Sequence, residues 1–393
     1  MRVVVLGGAG GMGRAAVRVA VELDFVCEVV VADRHFAGAE EVAARHRGRA
    51  RPVRVDVRDE RALAGLLDGA DVVMNASGPF FELGVPVLEG AIAAGAHYLD
   101  ICDDWEPTLE MLQLDARAKA RGVTAVLGMG ASPGLTNLLA VTAARALERP
   151  RELLTGWSID GAEETTGHGK SPSDEPSAAL VHWMQQLSGE IRIHSGGAAA
   201  LVKPLQRREI DFPNIGRIAV WTVGHPEAVT LPRVFAGLQA CANVMTGANE
   251  RTFAGLRALQ TLVDSKILSL KEAARELRKS DNGSGAERGR SGAVTDRPSL
   301  FGWASGEKAG QAVICAASLR GLPPGGMAGV TGVPLGLALH LFARAATRPP
   351  VGVLTPEEVI DPAWFFDLFA PYCGFASGAD LVAIGEQAVD NGG

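Results

Sequence analysis

Residues 2–13 read "RVVVLGGAGGMG". A run of β-branched, apolar residues has the composition of a buried strand. It leads directly into Gly8-Ala9-Gly10-Gly11-Met12-Gly13, after which a helical pattern begins. A GxGxxG spacing alone carries little weight in a chain of 48 glycines. Placed between a strand and a helix, at the start of a βαβ unit, it marks a dinucleotide-binding turn. Gly8 permits the tight turn, Gly10 lets the backbone approach a pyrophosphate, and Gly13 brings helix and strand together. The helix N-terminus near Gly11 and Met12 offers its free N–H groups to the phosphates.

Working outward, strand-like runs recur at 27–33, 52–57, 71–76, 97–102 and 123–128, with helical patterns at 12–23, 38–47, 59–68, 84–94 and 107–121. Near-continuous Val/Ile/Leu strands separated by helices predict an α/β fold, a doubly wound parallel (Rossmann) sheet covered on both faces. Asp33 closes the second strand twenty residues after Gly13, where a carboxylate accepts from ribose hydroxyls and repels a 2′-phosphate. NAD is therefore the expected cofactor. Arg34 beside it either stacks on adenine or turns toward a 2′-phosphate, which keeps NADP possible. Asp56 and Val57 end the third strand, where an adenine would lie; Asp56 equally suits a helix N-cap. After the fourth strand comes "NASGPF" (75–80), in which the small residues Ala76, Ser77 and Gly78 let the backbone lie flat against a nicotinamide ring and Pro79 sets the exit.

The 393-residue chain, 47% hydrophobic and 21% charged, is long enough for two globular domains. Its five scattered cysteines form no CxxC or Cys/His cluster, which points to reduced thiols in a cytoplasmic protein with no metal site. A net charge of −7 gives no basic face for nucleic acid. The N-terminal apolar run is too short for a signal peptide. Residues 321–343 carry no Asp, Glu, Lys or Arg but are broken by Gly and Pro, and read as a glycine-rich loop and a buried helix from about Val333 rather than a membrane span.

Past residue 130 the strands become irregular and predict a second, α+β domain for substrate and dimer contacts. Runs at 152–164, 191–194, 199–202, 218–223 and 311–318 read as strands, and 249–260 with 263–278 as a helical pair. The polar Gly/Ser-rich segment near 279–297 reads as mobile. The boundaries are 1–130, 131–345 and a C-terminal 346–393 returning to the first domain. Candidate chemistry lies in "DICDDWEP", where Asp100, Asp103, Asp104 and Glu106 either meet an amine or cap the next helix. It lies also in "GHPEAVTLPR" (224–233), with His225 as a general base near neutral pH beside Glu227 and Arg233, and more weakly at His168.

"VVVLGGAGGMG", "VDVRD", "ADVVMNASGPF", "GAHYLDICDDWE" and "GMGASPGLTNLLA" together resemble the saccharopine dehydrogenase-like proteins, a group of saccharopine reductases and lysine 6-dehydrogenases, and the similarity runs on through "VGHPEAVTLPR" to "GVLTPEEVIDPAWFF". "GASPGLTN" is its most specific mark. The resemblance implies NAD(P)-dependent hydride transfer at a carbon bearing nitrogen in a small amino-acid-like substrate, and a homodimer. It directs attention to Asp100, Asp103, Asp104, Asn137 and His225, with Asp103 and His225 the expected catalytic pair. Lys170, Lys203, Arg207, Arg208 and Arg233 are the cations available to a substrate carboxylate. Reduction of a C=C bond in an acyl substrate, or dinucleotide binding without turnover, are the alternatives. The acidic "CDDWEP" departs from the glycine and histidine usual in lysine dehydrogenases.

Overall fold

The computed structural model describes residues 1–46, 48–160, 176, 178–247, 249–278, 297–343 and 349–389. The segment expected to be mobile, apart from residue 297, and the loop carrying His168 and Lys170 lie outside these residues.

Strands β1 (Arg2–Leu6), β2 (Glu28–Asp33), β3 (Ala50–Arg54), β4 (Val72–Asn75), β5 (His97–Asp100) and β6 (Thr124–Val126) alternate with helices α1 (Gly11–Glu22), α2 (Phe36–Arg45), α3 (Glu60–Leu67), α4 (Phe80–Ala94), α5 (Trp105–Leu112) and α6 (Asp115–Ala120). Together with β15 (Gly352–Leu354), they form a seven-stranded sheet of order β15-β6-β5-β4-β1-β2-β3, with every pairing parallel. Consecutive residues Val3–Leu6, Val29–Ala32 and Val72–Met74 are all fully buried, so neither face of the central strands meets water. This is the doubly wound sheet that the sequence predicts.

Two elements start earlier than their patterns suggest. Helix α4 begins at Phe80, not at 84, because Pro79 closes the turn and Phe80 is already packed; Pro86 is accommodated inside it. The glycine-rich loop is likewise shorter than expected: it ends at Gly325, and one helix runs Gly326–Leu337. Two of its four glycines are demanded by contact with α1. A Cβ on Gly332 would stand 2.2 Å from the Met12 carbonyl oxygen, and one on Gly336 would stand 2.6 Å from Val19 Cβ. Residues Gly326–Ala343 are long and apolar enough to cross a membrane by composition, but two-thirds of that stretch is buried inside the protein.

Helix α7 (Leu135–Arg145) carries the chain to a second, mixed sheet. Its strands are β7 (Arg149–Ser158), β8 (Ile191–Ser195), β9 (Ala198–Val202), β10 (Arg207–Phe212), β11 (Gly216–Val223), β12 (Ala240–Thr246), β13 (Leu300–Lys308), β14 (Gln311–Leu319) and β16 (Val382–Ala388). The path is β10-β11-β12-β7-β13-β14-β16, with β8 and β9 appended beside β12. Only β12 with β7 is parallel. On one face α7 lies so close that a Cβ on Gly302 would reach 2.1 Å from the Ala140 nitrogen. Further along the same face, Trp221 stacks on Phe253 of the helix Glu250–Asp264 at 3.6 Å. The sheet curls until the β10–β11 turn meets β16, where a Gly385 Cβ would stand 2.8 Å from Pro213 Cβ. Leu154, Ile210, Phe212, Phe301 and Trp303 fill the concavity.

Gly332→Ala forces α1 and the helix Gly326–Leu337 apart and is expected to lower stability by about 1–3 kcal/mol, the usual cost of overpacking. Gly255→Ala, in an exposed helix interior with nothing within 4 Å, is expected to gain about 0.5–1 kcal/mol. Thermal unfolding of the two variants beside the parent checks both signs.

Candidate functional site

The carboxyl ends of the parallel strands converge on one edge, with the glycine turn at its centre. Gly7, not Gly8, takes the left-handed conformation, at φ +72°. A Cβ there would stand 2.6 Å from the Ala76 carbonyl oxygen. A Cβ on Gly8 would meet Val31 Cγ1 at 2.7 Å, and one on Gly13 would meet the Gly7 oxygen at 2.2 Å. Gly10 stands at the N-cap of α1, and no side chain caps that helix, so the first-turn N–H groups of Gly11, Met12 and Gly13 are left to an anion. Asp33 is fixed beside the turn: Oδ2 accepts from the Ala9 N–H (3.0 Å) and Oδ1 from the His35 N–H (2.9 Å). Arg34 is exposed next to it. Asp56 bonds the Arg58 N–H, and the cap of α3 is Asp59, which accepts from Arg61 and Ala62; Asp56 is thereby not the capping residue, and half-buried Val57 follows it.

The chain after β4 stays flat because its polar groups fold inward. Ala76 donates to the Leu6 carbonyl (2.9 Å) and so continues the strand ladder by one residue. Both the N–H and the hydroxyl of Ser77 bond Asn75 Oδ1, at 3.0 and 2.5 Å, while Asn75 Nδ2 donates to the Tyr98 hydroxyl at 3.0 Å. Gly78 has no atom within 4 Å of a would-be Cβ, and Pro79 leads into α4. Small or inward-turned side chains over 76–79 leave that side of the edge open for a planar ring.

Beyond β5 the edge turns acidic. Asp100 is fully buried; its Oδ1 accepts from the N–H groups of Gly128 (2.6 Å) and Cys102 (3.1 Å), and burial, which outweighs those bonds, raises its pKa to about 6. Asp104 stands at the N-cap of α5 but makes no capping bond. Its Oδ1 lies instead 2.7 Å from His182 Nε2, on the helix Ala178–Gln186, and Asp103 Oδ2 lies 3.8 Å from His182 Nδ1. Burial alone would lower the His182 pKa; the Asp103 charge and then the Asp104 hydrogen bond and charge outweigh it and raise it to about 9. His182 is thus an imidazolium at neutral pH, shared by two carboxyl groups. The neighbouring Cys102 thiol is pushed well up by burial and by Asp100, which keeps it unreactive.

The loop after β6 ties this edge to the second sheet. Ser132 Oγ donates to Glu227 Oε1 (2.6 Å) and lies 3.2 Å from His225 Nδ1. Thr136 and Asn243 also donate to Glu227 Oε1, at 2.8 and 3.0 Å, and Asn243 reaches Thr155 at 2.8 Å. Asn137 accepts from the Gly134 N–H (2.8 Å) and donates to Glu357 Oε2 (2.9 Å). Glu227 and Glu357 are buried; burial raises both pKa values, that of Glu357 to about 7. Burial lowers the His225 pKa against the opposing charge of Asp103. Trp157 stands 6.3 Å from the His225 ring and 6.2 Å from Trp183.

Among the described residues nine buried polar side-chain atoms lack a partner, and seven of them belong to this one region: Asp100 Oδ2, Asp104 Oδ2, Glu227 Oε2, Asn243 Oδ1, Glu357 Oε1 and the indole nitrogens of Trp157 and Trp183. Such concentration marks groups held for a ligand. Four of the cations expected to meet a substrate carboxylate are engaged elsewhere: Lys203 with Asp264 (2.9 Å), Arg207 with Glu250 (2.9 Å), Arg208 with Glu152 and Arg233 with Glu358 (3.6 Å). A cavity of about 340 Å³ between Lys203–Arg207 and the helix Glu250–Asp264 shares no residue with this edge.

Residues 3–126 match the family model described as the saccharopine dehydrogenase NADP binding domain. Over that first domain the chain resembles the saccharopine dehydrogenases. Carboxyaminopropylagmatine dehydrogenase of Synechocystis sp. is 24% identical over 68% of this chain and 67% of its own length. Carboxynorspermidine synthase of Vibrio cholerae is 26% identical over 57% of this chain and 58% of its own length. Among solved structures, apo saccharopine dehydrogenase (L-Glu forming) from Saccharomyces cerevisiae superposes with a TM-score of 0.64 at 15% identity, over 99% of both chains. Homospermidine synthase from Legionella pneumophila in complex with NAD follows, with a TM-score of 0.55 at 13% identity, over 99% of this chain and 91% of that one.

The structure brings Gly8, Gly10, Gly11, Met12, Gly13, Asp33 and 76–79 to one edge with Asp100, Asp103 and Asp104, and it places His225 across from them. Glu106 lies in the first turn of α5 and makes no bond to the cluster. Sequence reasoning missed Gly7, Ser132, His182, Asn243 and Glu357. Only Gly7 had a local signal, as the first of the glycine pair closing β1.

The Glu357 carboxyl binds its proton more tightly folded, with a pKa of about 7, than at its ordinary 4.5. Its contribution therefore favours the native state below about pH 4.5 and is lost as pH rises through 7. Glu357→Gln keeps an acceptor for Asn137 and removes the ionisation. The variant is expected to match the parent at pH 4.5 and to exceed it at pH 8 by on the order of 3 kcal/mol, in denaturant melts at the two pH values.

Proposed function

We propose that the protein is an NAD(P)-dependent oxidoreductase acting at a carbon–nitrogen centre of a small cationic substrate, an amine or amino-acid-like imine. The cofactor rests on the first domain (1–130) and the substrate reaches it from the second (131–345). The observation that carries this reading is the sign of the charge at the edge: Asp103 and Asp104 share one imidazolium beside the buried carboxyl group of Asp100, and among the described residues no lysine or arginine bonds to these three. Such a surface receives an ammonium group and rejects the phosphate of a phosphopantetheinyl arm, which disfavours the acyl C=C alternative. The named activities of the two sequence relatives, on an agmatine derivative and a norspermidine derivative, agree with an amine substrate.

The residues fit a dinucleotide: the uncapped N-terminus of α1 takes the pyrophosphate, Asp33 the adenine ribose and 76–79 the nicotinamide face. When bound, that ring supplies or takes up the hydride. Asp103 and Asp104 orient the substrate ammonium in place of part of their contact with His182. His225, neutral at pH 7 because burial holds its pKa down, accepts the proton that the nitrogen gives up on the way to the imine. A cytoplasmic setting is supported by five cysteines that are all unpaired, and a homodimer by the family resemblance.

A parallel fluorescence titration with NADH and NADPH tests the cofactor half. The parent is expected to prefer NADH, and Asp33→Ser to weaken NADH while relieving the exclusion of NADPH. Equal affinity of parent and variant for both would displace the ribose from Asp33. Asp103→Asn is expected to raise KM for a cationic amine about tenfold, or about 1.4 kcal/mol, with cofactor affinity unchanged. An unchanged KM would remove Asp103 from substrate binding.

A further inference from the structure

We propose that Glu227 is a positioning residue that, through the Ser132 hydroxyl, holds His225 in its Nδ1-protonated tautomer and so places the free lone pair on Nε2. The inference rests on the reading of His225 as the proton acceptor. It uses a buried carboxyl group that neither cofactor nor substrate binding requires, and it accounts for "GASPGLTN".

Proton counting decides the tautomer. Glu227 Oε1 has three donors aimed at it, from Ser132 (2.6 Å), Thr136 (2.8 Å) and Asn243 (3.0 Å), so that oxygen carries no proton. A serine hydroxyl has a single hydrogen. With that hydrogen committed to Glu227, Ser132 Oγ only accepts; the two hydrogens of Asn243 Nδ2 have nearer acceptors in Thr155 (2.8 Å) and Glu227 (3.0 Å), which leaves the His225 ring, at 3.2 Å, as its donor. The ring nitrogen facing it is Nδ1, which must therefore bear the hydrogen. Glu227 Oε2, without a hydrogen bond, lies 3.7 Å from the same nitrogen and adds an attraction of the same sign. The other titratable groups acting on the ring come from two further elements: Asp103 and Asp104 from the loop after β5, and His182 from the helix Ala178–Gln186. None of these is hydrogen-bonded to Nδ1. The tautomer is set from the second-sheet side, and Nε2 is left as the basic nitrogen. Here only a proton moves, from the substrate nitrogen to Nε2.

The chain supplies the parts in two short segments. Ser132 and Thr136 bracket the turn at Gly134, whose φ of +118° and close approach to Gly130 (2.3 Å from a would-be Cβ to the Gly130 oxygen) exclude any side chain. His225 and Glu227 flank Pro226, with Glu227 opening the helix Glu227–Val234.

The test is long-range ¹H–¹⁵N correlation on the full chain labelled at histidine, with His225→Asn to assign the signal. The wild-type ring is expected to be protonated at Nδ1 at neutral pH. Glu227→Gln keeps the acceptor for the Ser132 hydrogen but replaces the oxygen facing Nδ1 with an amide N–H, and is expected to let part of the population carry the proton at Nε2. Ser132→Ala, which leaves the Thr136 and Asn243 bonds intact and so remains informative should Glu227→Gln not fold, is expected to give a mixture. In turnover assays both variants are expected to lose about 10²-fold in kcat with KM hardly changed, and Glu227→Asp to recover part of it. A wild-type ring protonated at Nε2, or a ring unmoved in both variants, overturns the positioning role. An Nδ1-protonated ring that shifts as expected, in a protein that turns over no amine or imine, upholds the clamp and instead removes the proposed reaction.

Discussion

The first sheet depends on three backbone approaches that admit no side chain. Gly7 meets Ala76, Gly13 meets Gly7, and Gly332 meets Met12, each within 2.6 Å of where a Cβ would stand. The first sets the distance between the glycine turn and the loop after β4, and hence the slot where a dinucleotide passes. The second seats α1 on the turn that supplies its N-terminus. The third presses a helix from far along the chain against the outer face of α1, so the phosphate-facing end is braced from both sides. Glycine costs conformational entropy in a helix interior. The chain accepts that cost at Gly332 and Gly336 because a bulkier residue would shift the helix end that anions are to meet.

The other half of the site depends on unbalanced charge. Four acidic groups in and around a mostly dry cleft would repel one another if all were ionised. The structure relieves this in two ways. His182 takes the proton that two aspartates make favourable, and Asp100 draws two backbone N–H groups while its own pKa climbs. What remains is a site with negative character and unpartnered oxygens, a condition that a cationic ligand improves.

The parallel sheet was legible because fully buried strands show as unbroken apolar runs, and because the glycine fingerprint is local. The second sheet was legible only in part. β10 ("RREIDF") and β16 ("VAIGEQA") are half exposed and carry charge, so they do not stand out as strands. β13 holds Gly302 and Gly306, residues that ordinarily weaken a strand, because α7 and the Arg149 carbonyl approach them closely. The helical start at Gly326 was hidden for the same reason: Gly332, which reads as part of a loop, is a contact with Met12 of α1, far earlier in the chain. In the site, Asp33 and the residues at 76–79 follow from position in the fold. His182, Asn243 and Glu357 do not, since nothing local distinguishes them and only the meeting of two sheets brings them to Asp104, Glu227 and Asn137.

Asp104 shows how the two levels conflict. Its place ahead of Trp105 is the one a helix-capping carboxylate occupies, and a cap there is worth about 1 kcal/mol. The side chain turns away, α5 goes without a side-chain cap, and the carboxylate bonds His182 from a segment that closes over the edge. Local preference alone would have assigned Asp104 to structure. A residue that forgoes a local bond for a distant one, and still keeps an unpartnered buried oxygen, is held there by something other than folding economy. The same holds for Glu227, where three donors converge on one oxygen while the other stays bare beside His225. Both carboxyl groups are oriented by a histidine or orient one, and both histidines lie on elements of the second domain. The chemistry therefore depends on how the second sheet seats against the first, and "GASPGLTN", which leaves one sheet and bonds the other, is the segment that fixes that seating.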